Sequence, residues 1–367
     1  MYPIYFIPFI QMGLTFYISS QILLFLWTLT KIKINHKIIL LICLSSLFFF
    51  FKFFSFDINE RDLLVTFREF LCFALILAST YGFRKFDFSR LVIFFKFLIV
   101  IFFAVALIQI IGIHLLGEFI TFPKEFFIAN TATLEGVELA IEFETRLRPV
   151  IFFGEPSYAA FVLSIIYAVV KAENSNHIGQ YDLLALGCVF ILQSLSGIII
   201  IGFLFLYFNR AHLFKTKYFL IFLPFILFIS FYFLGSEVVE RLSNFFSGNA
   251  DESTAIRVIA PLDLVSRTFN NGFYLGAPSE YVNLYTLAFG NAVDNALFNL
   301  VINYGILSIP IFLILIHRIK SVFLILMLVL LMQFNGAYFS YDKAVLISLL
   351  LGSFNHYKAE YFVNEYK

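Results

Sequence analysis

The stretch Arg146 to Lys171, RLRPVIFFGEPSYAAFVLSIIYAVVK, decides how the rest of the chain is read. It closes a polar, acidic segment and opens an apolar run of about 20 residues, the length a helix needs to cross a bilayer. Gly154-Glu155-Pro156-Ser157 stands where the chain enters that run. Proline has no N–H and a fixed φ, so it fits a first helical turn. The free N–H groups of such a turn attract anions, and Arg146 and Arg148 upstream reinforce the attraction. The stretch reads as half of a site for a phosphate-bearing substrate. An ordinary helix start with two interfacial arginines fits the same residues.

Composition carries this outward. Of 367 residues, 61% are hydrophobic and 13% charged, where a soluble domain carries about 25% charged. The expected fold class is an all-α polytopic membrane protein, one integral membrane domain over residues 1–367. A net charge of +1 gives no case for nucleic acid. Cys43, Cys72 and Cys188 all fall in apolar runs and form neither a disulfide framework nor a metal cluster. The first charged residue is Lys31, so the N-terminal run reads as a membrane helix and not a cleaved signal.

Apolar runs fall near 3–28, 38–56, 63–80, 91–113, 150–170, 181–193, 195–208, 218–235, 294–316, 321–333 and 344–355, about eleven transmembrane segments. The pair 181–193 and 195–208 could equally be one broken helix around Gln193-Ser194-Leu195-Ser196-Gly197. Basic residues follow alternate segments: Lys31, Lys33 and Lys37, then Arg84, Lys85 and Arg90, then Lys171, then Arg210, Lys215 and Lys217, then Arg318 and Lys320. The positive-inside rule makes that side cytoplasmic, with the N-terminus outside and the C-terminus inside.

Two long loops then fall outside, 113–149 and 236–293, and loops of that length are usually functional. Both are rich in Glu and Asp, yet hold Arg146, Arg148, Arg241, Arg257 and Arg267. Positive-inside bias disfavours such residues there, and arginine grips phosphate as a planar fork. Pairing with nearby carboxylates is the alternative for each one. In the second loop Ile256, Ile259, Leu262, Val265 and Phe269 recur at helical spacing, which predicts a helix on the membrane surface ended by Asn270-Asn271-Gly272.

Other candidates lie in the spans. Glu155, at a helix mouth, fits a general base, a partner orienting an arginine, or an acid complementing the helix dipole. Arg68-Glu69 sits about two turns into the third segment, and ionisable residues inside a span are functional candidates. Lys52 and Lys96, nearer segment ends, read as snorkelling outward. Asp294, Asn295 and Asn299 open the ninth segment on nearly one face. That face suits sugar hydroxyls; capping by Asp294 and polar contacts between helices suit it equally. There is no P-loop, dinucleotide fingerprint, zinc signature or GxSxG around Ser157.

The order of these features resembles the bacterial O-antigen polymerase (Wzy) class, within the O-antigen polymerase and ligase superfamily. The residues that carry the resemblance are Arg148 and Gly154-Glu155-Pro156-Ser157-Tyr158, then Ser194-Leu195-Ser196-Gly197. Ser253-Thr254-Ala255-Ile256-Arg257 and Asn271-Gly272 with Gly276 follow, and Asp294-Asn295 leading to Tyr304-Gly305-Ile306 comes last. The resemblance implies a GT-C-like membrane glycosyltransferase of the inner membrane, working on its periplasmic face. A growing glycan on undecaprenyl diphosphate would pass to another lipid-linked repeat unit, with no cofactor or metal. Expected partners are those lipid-linked glycans, membrane lipid, a chain-length regulator and a flippase. Arg148 and Arg257 would hold the diphosphate, supported by Arg146 and Arg267. Glu155 would act as base or orienter and Asp294 as a second base. Arg68, Tyr158, Asn295 and Asn299 are further substrate-binding candidates. Ligase relatives carry histidine near the last external motif, where this chain has Asp294, which counts against ligase activity. A lipid-linked oligosaccharide transporter or flippase is the alternative from another class, and it is disfavoured by the long loops and the lack of repeats.

Overall fold

The structure is a computed structural model that describes residues 14–54, 59–84, 86–116, 120, 149, 151–153, 156–173, 178–213, 259–289, 295–319, 321–333 and 339–365. Its helices are α1 Leu14–Lys31, α2 His36–Phe51, α3 Glu60–Ser79 and α4 Phe88–Ile111. Next come α5 Pro156–Glu173, α6 Gln180–Leu192 and α7 Leu195–Leu213. The chain continues with α8 Ala260–Asn270, α9 Ser279–Phe289, α10 Ala296–Tyr304 and α11 Ser308–His317. It closes with α12 Val322–Leu331 and α13 Tyr341–Glu365. Among the described residues the only pairing outside helices is an isolated β-bridge from Ile32 to Phe83.

Four stretches are long and apolar enough to cross a membrane: His36–Phe54, Phe88–Ile111, Pro156–Glu173 and Ala296–His317. Shorter apolar helices include Gln180–Leu192 and Val322–Leu331. This is an all-α membrane protein. The break expected near residue 194 separates two helices, α6 and α7, because Gln193 turns left-handed at φ 52 and ends α6. The last segment is longer than the apolar run 344–355 suggests. Its polar ends, Tyr341-Asp342-Lys343 and beyond Ser353, continue the helix to Glu365. Run 218–235 lies outside the described residues.

The chain divides into two compact units. The first comprises residues 1–34, 78–210 and 341–367. Its centre is α5, the helix opened by Pro156. Of its apolar window 89% is buried, against 22% for His36–Phe54. A helix apolar on every side belongs inside a bundle, and α5 is enclosed by α4, α6 and α13. Small residues allow the approach: a Cβ on Gly197 would come 2.5 Å from the Cβ of Ala160. Lys171, counted above as a flanking charge, is only 3% exposed and pairs with Asp182 at 3.0 Å. Tyr167 and Asn209 also bond Asp182, at 2.6 and 3.1 Å. A buried cation so paired is a poor witness to orientation. Other contacts join ends that the charge alternation puts on one side: Lys33 N–H donates to Gly82 O at 3.1 Å, and Arg84 N–H to Lys31 O.

The entry to α5 is held by one side chain. Gln109, in the last turns of α4 and 1% exposed, donates to Ile151 O at 3.0 Å and accepts from Ile151 N–H at 2.8 Å. Ile151 has φ 58, a conformation a β-branched residue adopts only under constraint. Gln109→Leu would orphan both buried backbone groups. The expected loss is about 2 kcal/mol or more, read as a lower unfolding midpoint of the detergent-solubilised protein.

The second unit comprises residues 35–77 and 211–340. α2 packs on α11, and α8 on α10. α8 lies where the amphipathic helix is predicted in the second long loop. Ala260, Leu264 and Thr268 are buried, while Ile259 and Leu262 are 46% and 49% exposed. The buried face is set by a small core that α8 shares with Ala277, Tyr285 and Ile302.

Candidate functional site

In the second unit, α3 carries Asp62, Thr66 and Glu69 at i, i+4 and i+7, one polar stripe along the helix. All three are buried, at 1%, 0% and 8% exposure. Glu69 accepts a 2.5 Å hydrogen bond from the hydroxyl of Tyr304, the last residue of α10. Tyr304 is itself fully buried, with Phe49 set edge-on against its ring at 4.9 Å. Phe339 packs on Phe49 and Phe73 and extends this aromatic wall.

Lys52 contradicts the snorkelling expectation. It is 3% exposed, and its Nζ lies 4.9 Å over the Tyr304 ring. A short 3₁₀ turn, Lys52–Phe54, ends α2 there. Inside, the ammonium faces the Tyr304 ring, and the charges of Glu69 and Asp62 offset part of the cost of its burial. Arg68 lies at the edge of the centre: its side chain is 37% exposed, with Nη2 4.0 Å from Glu69.

A narrow cavity adjoins the pair, lined by Glu69, Asn299, Asn303, Tyr304, Ala296, Leu300 and Phe339. Its volume, about 10 Å³, admits a single water. Asn299 and Asn303 are i and i+4 on α10, so their amides share the cavity face. The arrangement is a fixed carboxylate beside two amides that donate and accept, suited to a hydroxyl.

The remaining candidates divide. Asn295 caps α10: its Oδ1 accepts from Leu297 and Phe298 N–H, and its Nδ2 donates to Gln333 at 2.7 Å. The cap expected of Asp294 therefore belongs to Asn295. Arg267 donates to Asp263 at 2.8 Å on the half-exposed side of α8. Tyr285 bonds the same carboxylate at 2.9 Å. Burial first, then the hydrogen bond and charge of Asp263, push the Tyr285 phenol up to about 12, so it remains a donor at any physiological pH. In the first unit, Tyr158 is 4% exposed and donates to Asp342, with Lys343 5.7 Å over its ring. Arg146, Arg148, Glu155, Arg257 and Asp294 lie outside the described residues. No group of three His, Cys, Asp or Glu among the described residues is placed to hold a metal ion.

Sequence reasoning missed Tyr304, Asn303, Lys52 and Asp62 as members of one centre. The Asp62-Thr66-Glu69 spacing was available as a signal.

Neither the curated proteins nor the solved structures include a match to the chain. Residues 7–352 match the family model described as WcaD colanic acid polymerase. With nearly its whole length matched, this helical membrane protein belongs to the WcaD colanic acid polymerase family, whose work is the polymerisation of polysaccharide repeat units.

Proposed function

We propose that the chain joins oligosaccharide repeat units carried on undecaprenyl diphosphate, at the periplasmic face of the inner membrane, into O-antigen or a related surface polysaccharide. A hydroxyl on the non-reducing sugar of the acceptor unit attacks the anomeric carbon of the growing chain. The bond from that carbon to the diphosphate oxygen breaks, and undecaprenyl diphosphate leaves. The acceptor proton passes to Glu69. Asn299 and Asn303 hold the acceptor hydroxyl, and Lys52 keeps the centre from accumulating negative charge. Arg148 and Arg257, supported by Arg146 and Arg267, offset the charge of the departing diphosphate. Glu155 orients an arginine, and Asp294 contributes to acceptor binding ahead of the Asn295 cap.

The observation that carries this reading is the buried Glu69 side chain, fixed by Tyr304 and opening onto a polar cavity that Asn299 and Asn303 also line. Carboxylates are costly inside a membrane protein and are retained there for work. Complementation of a polymerase-null strain tests the function. A restored ladder of chain lengths supports it. Attachment of single units without growth points to a ligase, and translocation without growth to a flippase; either overturns the reading.

A further inference from the structure

We infer that the segment Tyr274–Ser279 is the positioning element of the Glu69–Tyr304 pair, so that the external loop sets the geometry of the base. This rests on the reading of Glu69 above. Four residues of that segment, Tyr274, Gly276, Ala277 and Ser279, meet the elements that carry the two partners. On one side the segment brackets Tyr304: Ala277 N–H donates to Ile302 O at 2.8 Å, and Ile306 N–H donates to Tyr274 O at 2.9 Å. The backbones meet there without room for side chains. A Cβ on Gly276 would strike the carbonyl oxygen of Asn303, and one on Gly305 the carbonyl oxygen of Tyr274. Both glycines have positive φ, +116 and +52, so the approach needs glycine twice over.

On the other side the segment reaches α3. Ser279 N–H, at the start of α9, donates to Asp62 Oδ1 at 2.8 Å. Asp62 is two turns from Glu69 on the same helical face. Its second oxygen and the Ser279 hydroxyl are buried with no hydrogen-bond partner, so the bond from the Ser279 backbone to Asp62 Oδ1 is what ties the two residues together. The loop thus grips α10 within two residues of Tyr304 and grips α3 at the foot of the Glu69 stripe. Seated, it holds the phenol 2.5 Å from the carboxylate. A shift of about 1 Å in a reacting group can cost a hundredfold in rate. Gly276, Gly305, Asp62 and Ser279 are positioning residues and touch no substrate.

The test uses the full chain, purified and returned to liposomes, extending lipid-linked repeat units. Ser279→Pro deletes one N–H at the first turn of α9, where proline fits a helix. The expected result is a kcat lower by about tenfold with acceptor KM held within about twofold. In a Glu69→Gln background, Ser279→Pro should remove nothing further from the residual rate, because both act through one group. Wild-type turnover by Ser279→Pro, or an equal loss in both backgrounds, overturns the inference while leaving Glu69 as base. Should Ser279→Pro fail to reach the membrane, Asp62→Ala deletes the same bond from the other side and is judged by the same criteria. Wild-type turnover by Glu69→Gln overturns the base assignment and this inference together.

Discussion

Glu69→Gln is expected to cut chain extension by about a hundredfold or more while the protein still inserts in the membrane. Glutamine keeps the size of the side chain and can still accept from Tyr304, so the aromatic wall and the helix contacts survive. What it loses is the ability to take a proton. General base catalysis contributes about 10²–10⁴ in rate, which sets the size of the effect. Tyr304→Phe should cost less, about tenfold, because the carboxylate keeps its basicity and loses one fixed donor. Ladder formation in cells and extension by purified protein both read these changes. Equal loss of folded protein from the membrane would assign Glu69 a packing role instead.

Arg148→Ala and Arg257→Ala are each expected to abolish ladder growth, with rates lower by about 10²–10³. The leaving diphosphate gains charge as the glycosidic bond breaks, and a guanidinium offers two parallel donors to it. Arg148→Lys should remain poor, because an ammonium keeps the charge and loses the fork. Wild-type ladder length in any of the three removes that arginine from the leaving-group role. Arg267, already bonded to Asp263, should show a smaller effect than Arg257.

The fold was legible because hydropathy is a property of runs. The apolar stretch after Pro156 is long and unbroken, and it became α5, the most buried helix of its unit. Turn chemistry was equally plain: Asn271-Gly272 ends α8 with Gly272 at φ +83. On α8 the apolar Ile259 and Leu262 were legible and stay half exposed, whereas the inner face was not legible, because the small Ala260 and Thr268 that pack there carry little hydropathy signal. The site was harder to read. Glu69 was flagged as an intramembrane acid, but its partner Tyr304 lies 235 positions away, and no spacing rule spans that distance. Lys52 was misread for the same reason: only the folded chain shows the ring and carboxylates that make its burial tolerable.

The most direct test of the central claim counts products. Purified protein in liposomes is given undecaprenyl-diphosphate-linked repeat units, and glycan length and released undecaprenyl diphosphate are measured together. The account predicts a ladder with one undecaprenyl diphosphate freed for each repeat added, and both products lower by about a hundredfold or more with Glu69→Gln. Lengthening without that release, or an undiminished ladder from Glu69→Gln, would contradict it.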